Sequence, residues 1–183
     1  MKATGIVRRI DDLGRVVIPK EIRRTMRIRE GDPLEIYTDR EGEVIFKKYS
    51  PIGELTGFAA QYAETLYKTC GFPVVICDRD AVIACAGLPR KEFMEKRLSQ
   101  EMENIMEGRT LYVADSAKQI DVTDDGSESY CVSCAMPILT EGDITGCVAA
   151  VASRSGESIG ISPDAEQKLV QTAAIFLGKQ LEQ

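Results

Sequence analysis

A chain of 183 residues, 44% hydrophobic and 28% charged, suits one medium domain or a small domain joined to a medium one. It contains no histidine, which removes serine–histidine and cysteine–histidine nucleophiles, histidine bases and every histidine-containing zinc signature. The net charge of −6 conceals a division: residues 1–50 carry 12 Lys and Arg against 9 Asp and Glu, whereas residues 51–183 carry 11 against 20.

The basic excess is local. Arg8–Arg29 holds eight basic and three acidic residues, which points to a polyanionic partner, DNA above all. Thr4–Ile10 and Arg15–Ile18 read as β-branched strands around Asp11-Asp12-Leu13-Gly14, a hairpin-like connection. Pro19 stops the second strand and suits the first turn of a short helix, near Pro19–Met26, with Ile22 and Met26 as its buried edge. Gly31-Asp32-Pro33 turns the chain, and Leu34–Asp39 and Val44–Tyr49 form a second hairpin. Fifty residues arranged this way bury little surface alone, so the unit either packs on the C-terminal domain or interleaves with a second copy, and the charge boundary at Ser50-Pro51 favours the second. Such a two-fold module also matches the local two-fold symmetry of the duplex backbone.

Gly-Ile-Val-Arg-Arg, Asp-x-Leu-Gly-Arg-Val-Val-Ile-Pro, Glu-Ile-Arg-Arg-Thr and Leu-Glu-Ile-Tyr together resemble the N-terminal domain of the AbrB family of bacterial transition-state regulators. The likeness runs from Met1 to about Pro51. It implies an all-β-rich swapped-hairpin, or looped-hinge, barrel dimer over residues 1–51. It also implies DNA contacts at Arg8, Arg15, Arg23 and Arg24, with Arg9 beside them. Arginine suits the task because its planar fork pairs bidentately with phosphate or guanine, where lysine offers a point charge. The module has no long recognition helix, so phosphate contacts and DNA shape should dominate.

Ser50-Pro51 starts a helix running to Cys70, with Leu55, Ala59, Tyr62, Leu66 and Cys70 along one stripe. Pro73–Asp78 and Ala81–Gly87 follow as apolar strands, then a helix over Pro89–Glu107 and a strand over Arg109–Ala114. Asp121–Glu128 is an acidic loop, read as solvated rather than metal-binding. Tyr130–Leu139 and Ile144–Ser153 form a hairpin, and Ser162-Pro163-Asp164 caps a final helix to Gln183. All six cysteines lie in this half, and without an export signal they read as reduced structural thiols. Cys131-x-x-Cys134 lacks a second such pair, and residues three apart on a regular strand face opposite ways, which argues against zinc.

The order helix, two strands, helix, three strands, helix fits an α+β domain over 52–183, an antiparallel sheet with helices layered on one side. Val-Val-Ile-Cys-Asp-Arg-Asp and Pro-Ile-Leu-x-Glu-Gly-Asp-x-x-Gly give it a resemblance to GAF domains, the small-molecule sensing fold. Ala84, Cys85, Ala86, Cys134, Ala135, Met136, Ala149 and Ala150 leave room either for a small organic effector or for a close-packed helix. No Gly-x4-Gly-Lys-Ser/Thr or Gly-x-Gly-x-x-Gly loop occurs, and no run reaches the ~18 apolar residues of a membrane span.

The expectation is a cytoplasmic, non-enzymatic regulator that binds promoter DNA, without cofactor, metal or catalytic residues. Resemblance to two-part sporulation regulators implies a homotetramer, dimeric through residues 1–51 and joined through C-terminal helices. It further implies activation and repression of late sporulation genes in the forespore. The alternatives are a cysteine-based GAF-type reductase and an antitoxin with an AbrB-like domain.

Overall fold

The computed structural model describes residues 5–115, 118–156 and 160–182, and the chain divides into two compact units, residues 1–49 and 50–183. Within the first, α1 (Lys20–Thr25) is followed by an antiparallel hairpin of β1 (Leu34–Thr38) and β2 (Val44–Lys48). Asp39 shapes the hairpin loop, its Oδ1 accepting the N–H groups of Glu41 and Glu43 at 2.9 Å each. Lys48 ties the hairpin to the end of α1 by donating from Nζ to the Arg27 carbonyl at 2.9 Å and pairing with Asp32 at 3.6 Å.

The first expected hairpin is not formed in the single chain. Residues 5–10 and 15–18 run without strand pairing, and Thr4 lies outside the described residues. Their side chains show why: Val7 is 86%, Ile10 69% and Val17 71% exposed, so nothing within one copy covers them. The edge expected on α1 is also open, with Met26 56% exposed and no residue of the helix buried. A β-branched run without a partner strand cannot satisfy its ladder bonds or bury its apolar face.

The second unit is built on a five-stranded antiparallel sheet in the order β4-β3-β7-β6-β5. The strands are β3 (Val74–Cys77), β4 (Val82–Ala86), β5 (Tyr112–Val113), β6 (Tyr130–Thr140) and β7 (Asp143–Ser153). Alternation sends Val74, Ile76, Val148 and Ala150 into one core, and Val75, Cys77, Cys147, Ala149 and Val151 into another. The first core lies under α2 (Pro51–Glu54), α3 (Thr56–Cys70) and α6 (Pro163–Gln180). The second lies under α4 (Arg90–Phe93) and α5 (Gln100–Gly108), so helices flank both faces rather than one. The fold class remains the α+β antiparallel sheet expected.

Local chemistry sets the breaks. Glu141 and Gly142 both take positive φ, 50° and 89°, and close the β6–β7 hairpin in two residues. The long helix expected over 89–107 is interrupted because residues 95–98 pair with the start of β4: Glu95 N–H donates to the Val82 carbonyl and Leu98 N–H to that of Asp80, both at 2.9 Å. Ser99 then starts α5 afresh, its Oγ accepting the Met102 N–H at 3.1 Å and donating to the Asp121 carbonyl at 2.6 Å. Arg154 pins the acidic loop, donating from Nε to the carbonyls of Ser127 and Tyr130 and from Nη2 to Asp121 at 2.6 Å.

The small residues of the sheet serve close packing. A Cβ at Gly146 would strike the Cys77 carbonyl oxygen, and one at Gly178 of α6 would strike that of Leu139. Gly146→Ala and Gly178→Ala should each destabilise the second unit by about 1–3 kcal/mol, an overpacking cost. Gly57→Ala, at an exposed α3 position with open space around it, should instead stabilise by about 0.5 kcal/mol. Urea unfolding with an unchanged m-value would record both signs.

Candidate nucleic-acid interface

Five arginines define the candidate surface, and all five are exposed. Arg8 and Arg9 lie on the extended arm entering the 11–15 loop, and Arg15 lies on the arm leaving it. Arg23 and Arg24 occupy the last turn of α1, with Glu21 in its first turn. Among the described residues, Arg8, Arg9, Arg23 and Arg24 form no ion pair, so their guanidinium groups remain available to an external anion. Clustered arginines with no carboxylate partner form an electrostatic footprint for phosphate.

Arg15 is held differently. Its Nε donates to Asp11 Oδ2 at 2.8 Å, while Asp11 Oδ1 accepts the N–H groups of Leu13 at 3.0 Å and Arg15 at 2.8 Å. The loop closes through Asp11 N–H to the Arg15 carbonyl and Gly14 N–H to the Asp11 carbonyl, both 3.1 Å, with Gly14 at φ 76°. The Arg15 backbone N–H, and then its guanidinium, hold the Asp11 carboxyl below its ordinary 3.8. Asp11 is therefore the residue that sequence reasoning missed. Its signal was present in the Asp-x-x-Gly-Arg spacing, which places a carboxylate four residues before the arginine it orients.

The structure brings Arg23 and Arg24 together on one helix and fixes the Arg15 head through Asp11. It does not join Arg8 and Arg9 to them, because no backbone hydrogen bond ties residues 5–10 to other described residues of the unit. Arg27, beyond α1, adopts the left-handed region at φ 50° and turns the chain toward the second hairpin.

Cys77 and Cys134 of the second unit are poorly suited to nucleophilic chemistry. All six cysteines are free; Cys77, Cys85, Cys134 and Cys147 are buried. Burial, with Glu166 nearby, pushes the Cys134 thiol up to about 12, and the hydrogen bond with Cys147 followed by burial raises Cys77. A thiol nucleophile needs the opposite shift. Cys131 and Cys134 do not face opposite ways as a regular strand would have them. A bulge between Val132 and Cys134 breaks the alternation, and both residues line one cleft. Among the described residues no three His, Cys, Asp or Glu gather as a metal site.

The family described as "Stage V sporulation protein T C-terminal, transcription factor" matches residues 54–182, and "Antidote-toxin recognition MazE, bacterial antitoxin" matches residues 7–53. The chain is 52% identical to stage V sporulation protein T of Bacillus subtilis (strain 168), with 100% of both chains covered. It is 65% identical over 51 residues to the transition state regulatory protein AbrB of the same organism, covering 28% of this chain and 52% of that relative. The crystal structure of the A. aeolicus nlh2 GAF domain in an inactive state is similar at a TM-score of 0.51 and 13% identity, covering 73% of this chain and 85% of the other. That likeness concerns fold alone.

Asp11 should titrate below 3.8 by carboxyl-carbon NMR, and Arg15→Ala should raise it part of the way back. The recovery should be partial because the residue-15 backbone N–H, the larger cause, survives the substitution.

Proposed function

Since this chain belongs to the stage V sporulation protein T family of transcription factors, and is thereby a DNA-binding regulator of sporulation, we propose that Arg8, Arg9, Arg15, Arg23 and Arg24 are its DNA contacts. The observation that carries this reading is the exposure of all five guanidinium groups, four of them without an ion pair among the described residues. Basic residues in an otherwise acidic protein concentrate affinity on one surface and limit sticking elsewhere. The six residues of α1 are too short to read a major groove along their length, so the arginines work through phosphates and groove shape. Promoter DNA is the partner, with genes of late sporulation both activated and repressed in the forespore cytoplasm. No helix among the described residues is long and apolar enough to cross a membrane.

The DNA-binding unit is a dimer formed by exchange of residues 5–18 between copies. Thirteen large hydrophobic side chains of this unit are exposed, from Ile6 and Val7 to Phe46 and Tyr49, and a second copy is the surface that fits them. Two dimers then join through α3 and α6. Tyr62 and Phe176 stack at 5.6 Å between ring centroids, and Phe58 lies 6.0 Å from Phe176, forming an aromatic ridge with the exposed Ile175 beside it.

Of the alternatives, an antitoxin accords with the match over residues 7–53, but the folded core of residues 50–183 is unlike the disordered toxin-binding tail such a protein needs. The reductase reading has the raised thiols against it.

Arg23→Ala and Arg24→Ala should each weaken binding to a promoter fragment and lower the slope of log K against log salt by about one unit. Thermal unfolding should be unaffected, since neither side chain is buried. Unchanged affinity and slope in both variants would remove α1 from the interface.

The residue 1–51 fragment should melt with a midpoint that rises with concentration. The intact chain should sediment as a tetramer, and Phe176→Glu should reduce it to a folded dimer. A monodisperse monomer in either experiment contradicts the assembly.

A further inference from the structure

Of the five arginines assigned to DNA, Arg15 is the one whose head is held, and the group that holds it is itself fixed. Asp11 Oδ1 accepts the N–H groups of Leu13 at 3.0 Å and Arg15 at 2.8 Å, which sets the carboxylate in place. Its Oδ2 then accepts Arg15 Nε at 2.8 Å. A surface ion pair usually gains little, because two flexible side chains must be ordered at once. Here only the arginine remains to be ordered. These bonds, with the backbone bonds from Asp11 N–H to the Arg15 carbonyl and from Gly14 N–H to the Asp11 carbonyl, fall within residues 11–15. The hold therefore does not depend on how the arms are paired.

The hold also selects which donors face outward. Nε is occupied, the Arg15 side chain is still 69% exposed, and its two Nη groups form no hydrogen bond among the described residues. The loop thus presents the two-pronged end of a guanidinium, the edge that pairs with a phosphate or with guanine O6 and N7. Arg8, Arg9, Arg23 and Arg24 have no carboxylate restraining them among the described residues. A mobile cation follows a phosphate wherever it stands and adds affinity for any duplex. A fixed one gains its full contact only where phosphate position, groove width or base edge matches it.

We propose that Asp11 makes Arg15 the specificity-determining contact, while the four unrestrained arginines supply general affinity, a division that rests on the DNA contacts proposed above. Asp11 is a positioning residue that acts through Arg15. Its two effects have opposite signs. Its negative charge weakens binding to every duplex, whereas its hold on Arg15 strengthens binding to a matched one.

Fluorescence anisotropy of the intact protein on two duplexes of equal length and composition separates these effects. One duplex is enriched by the parent protein from a random pool, and the other carries the same bases shuffled. Asp11→Asn keeps an Oδ1 acceptor for both backbone N–H groups but turns an Nδ2 donor toward Arg15 Nε, so the loop stays and the hold goes. Unshifted Leu13 and Arg15 amide resonances would record the intact loop. Asp12→Asn makes the same charge change at an exposed carboxylate with no ion pair among the described residues. Asp12→Asn should tighten both duplexes by a similar factor and keep their ratio. Asp11→Asn should tighten the shuffled duplex yet weaken the enriched one, lowering the ratio by about fivefold, the scale of one hydrogen bond. Arg15→Ala, which leaves the backbone bonds of the loop untouched, should lower the ratio as far, and Arg23→Ala should weaken both duplexes alike. The role of Asp11 is overturned if folded Asp11→Asn leaves the ratio unchanged, if Arg15→Ala does so, or if the parent enriches no sequence. Weakened binding by Arg23→Ala beside any of these outcomes would retain the DNA surface without that role. Unchanged affinity in Arg15→Ala, Arg23→Ala and Arg24→Ala together would remove the surface itself.

Discussion

Residues 5–10 and 15–18 present β-branched side chains and a backbone without ladder pairing to water, and one copy of the chain has nothing with which to cover them. Val7, Ile10, Leu13 and Val17 are each more than two-thirds exposed. At about 25 cal/mol per Å² of apolar surface, four such side chains forgo several kcal/mol of burial, comparable with the net stability of a small domain. The hairpin β1–β2 cannot supply the deficit, since its own strands are almost wholly exposed. Folding of this unit is thus tied to a complementary surface. In the proposed dimer that surface is the same segment of another copy, which pairs strands and buries both apolar faces at once.

The arginines inherit their geometry from this constraint. Arg8 and Arg9 sit on an arm whose path only a partner strand would fix, whereas Arg23 and Arg24 are already set by α1 and Arg15 by Asp11. The proposed DNA surface depends on the proposed association, because the arms would deliver their guanidinium groups in register only when paired. In the proposed interface the Asp11 contact also restrains the Arg15 side chain before DNA arrives. That lowers the ordering entropy of binding, though it opposes part of the Arg15 charge.

Much of this was legible in the residues. Proline at 19, aspartate at 39 and serine at 50 and 162 mark element boundaries through backbone chemistry, and the structure places elements where those signals stand. The apolar runs of β3 and β7 marked them as strands, but the helices were expected on one side of the sheet, and the continuous burial of both strands reflects cover on both faces. What escaped the reading depended on contacts distant in the chain. The helix expected over 89–107 breaks because residues 95–98 find β4, a pairing that no local propensity encodes. The edge assigned to Ile22 and Met26 remains open because its cover is not within the chain. Cys131 and Cys134 share a side because of a bulge, and a regular pleat was the wrong premise there. Glu166 carries no signal in the sequence that sets it apart from other helix-start acids, and it is the packing of α6 on β6, where Ser133 bonds it, that buries it.

Those placements also restrict how an occupant of the second unit could influence the first. Ser50 opens the second unit, donating from Oγ to Asp78 Oδ2 at 3.1 Å in the β3–β4 turn while capping α2. A cleft lined by Cys131, Cys134, Ala152 and Glu166 lies at the opposite edge of the sheet, beside β5. A signal crossing from one edge to the other would have to distort the β6–β7 ladder, eleven residues long on each strand and packed on both faces. Helix α6 offers the softer route. Ten residues separate Glu166 from Phe176, about 15 Å along one rigid helix, and Phe176 stands in the aromatic ridge with Tyr62 of α3. An occupant that tilts α6 therefore acts on the ridge, and through it on the tetramer contact proposed above. An occupant that binds both arrangements of α6 equally well shifts neither, however tightly it binds.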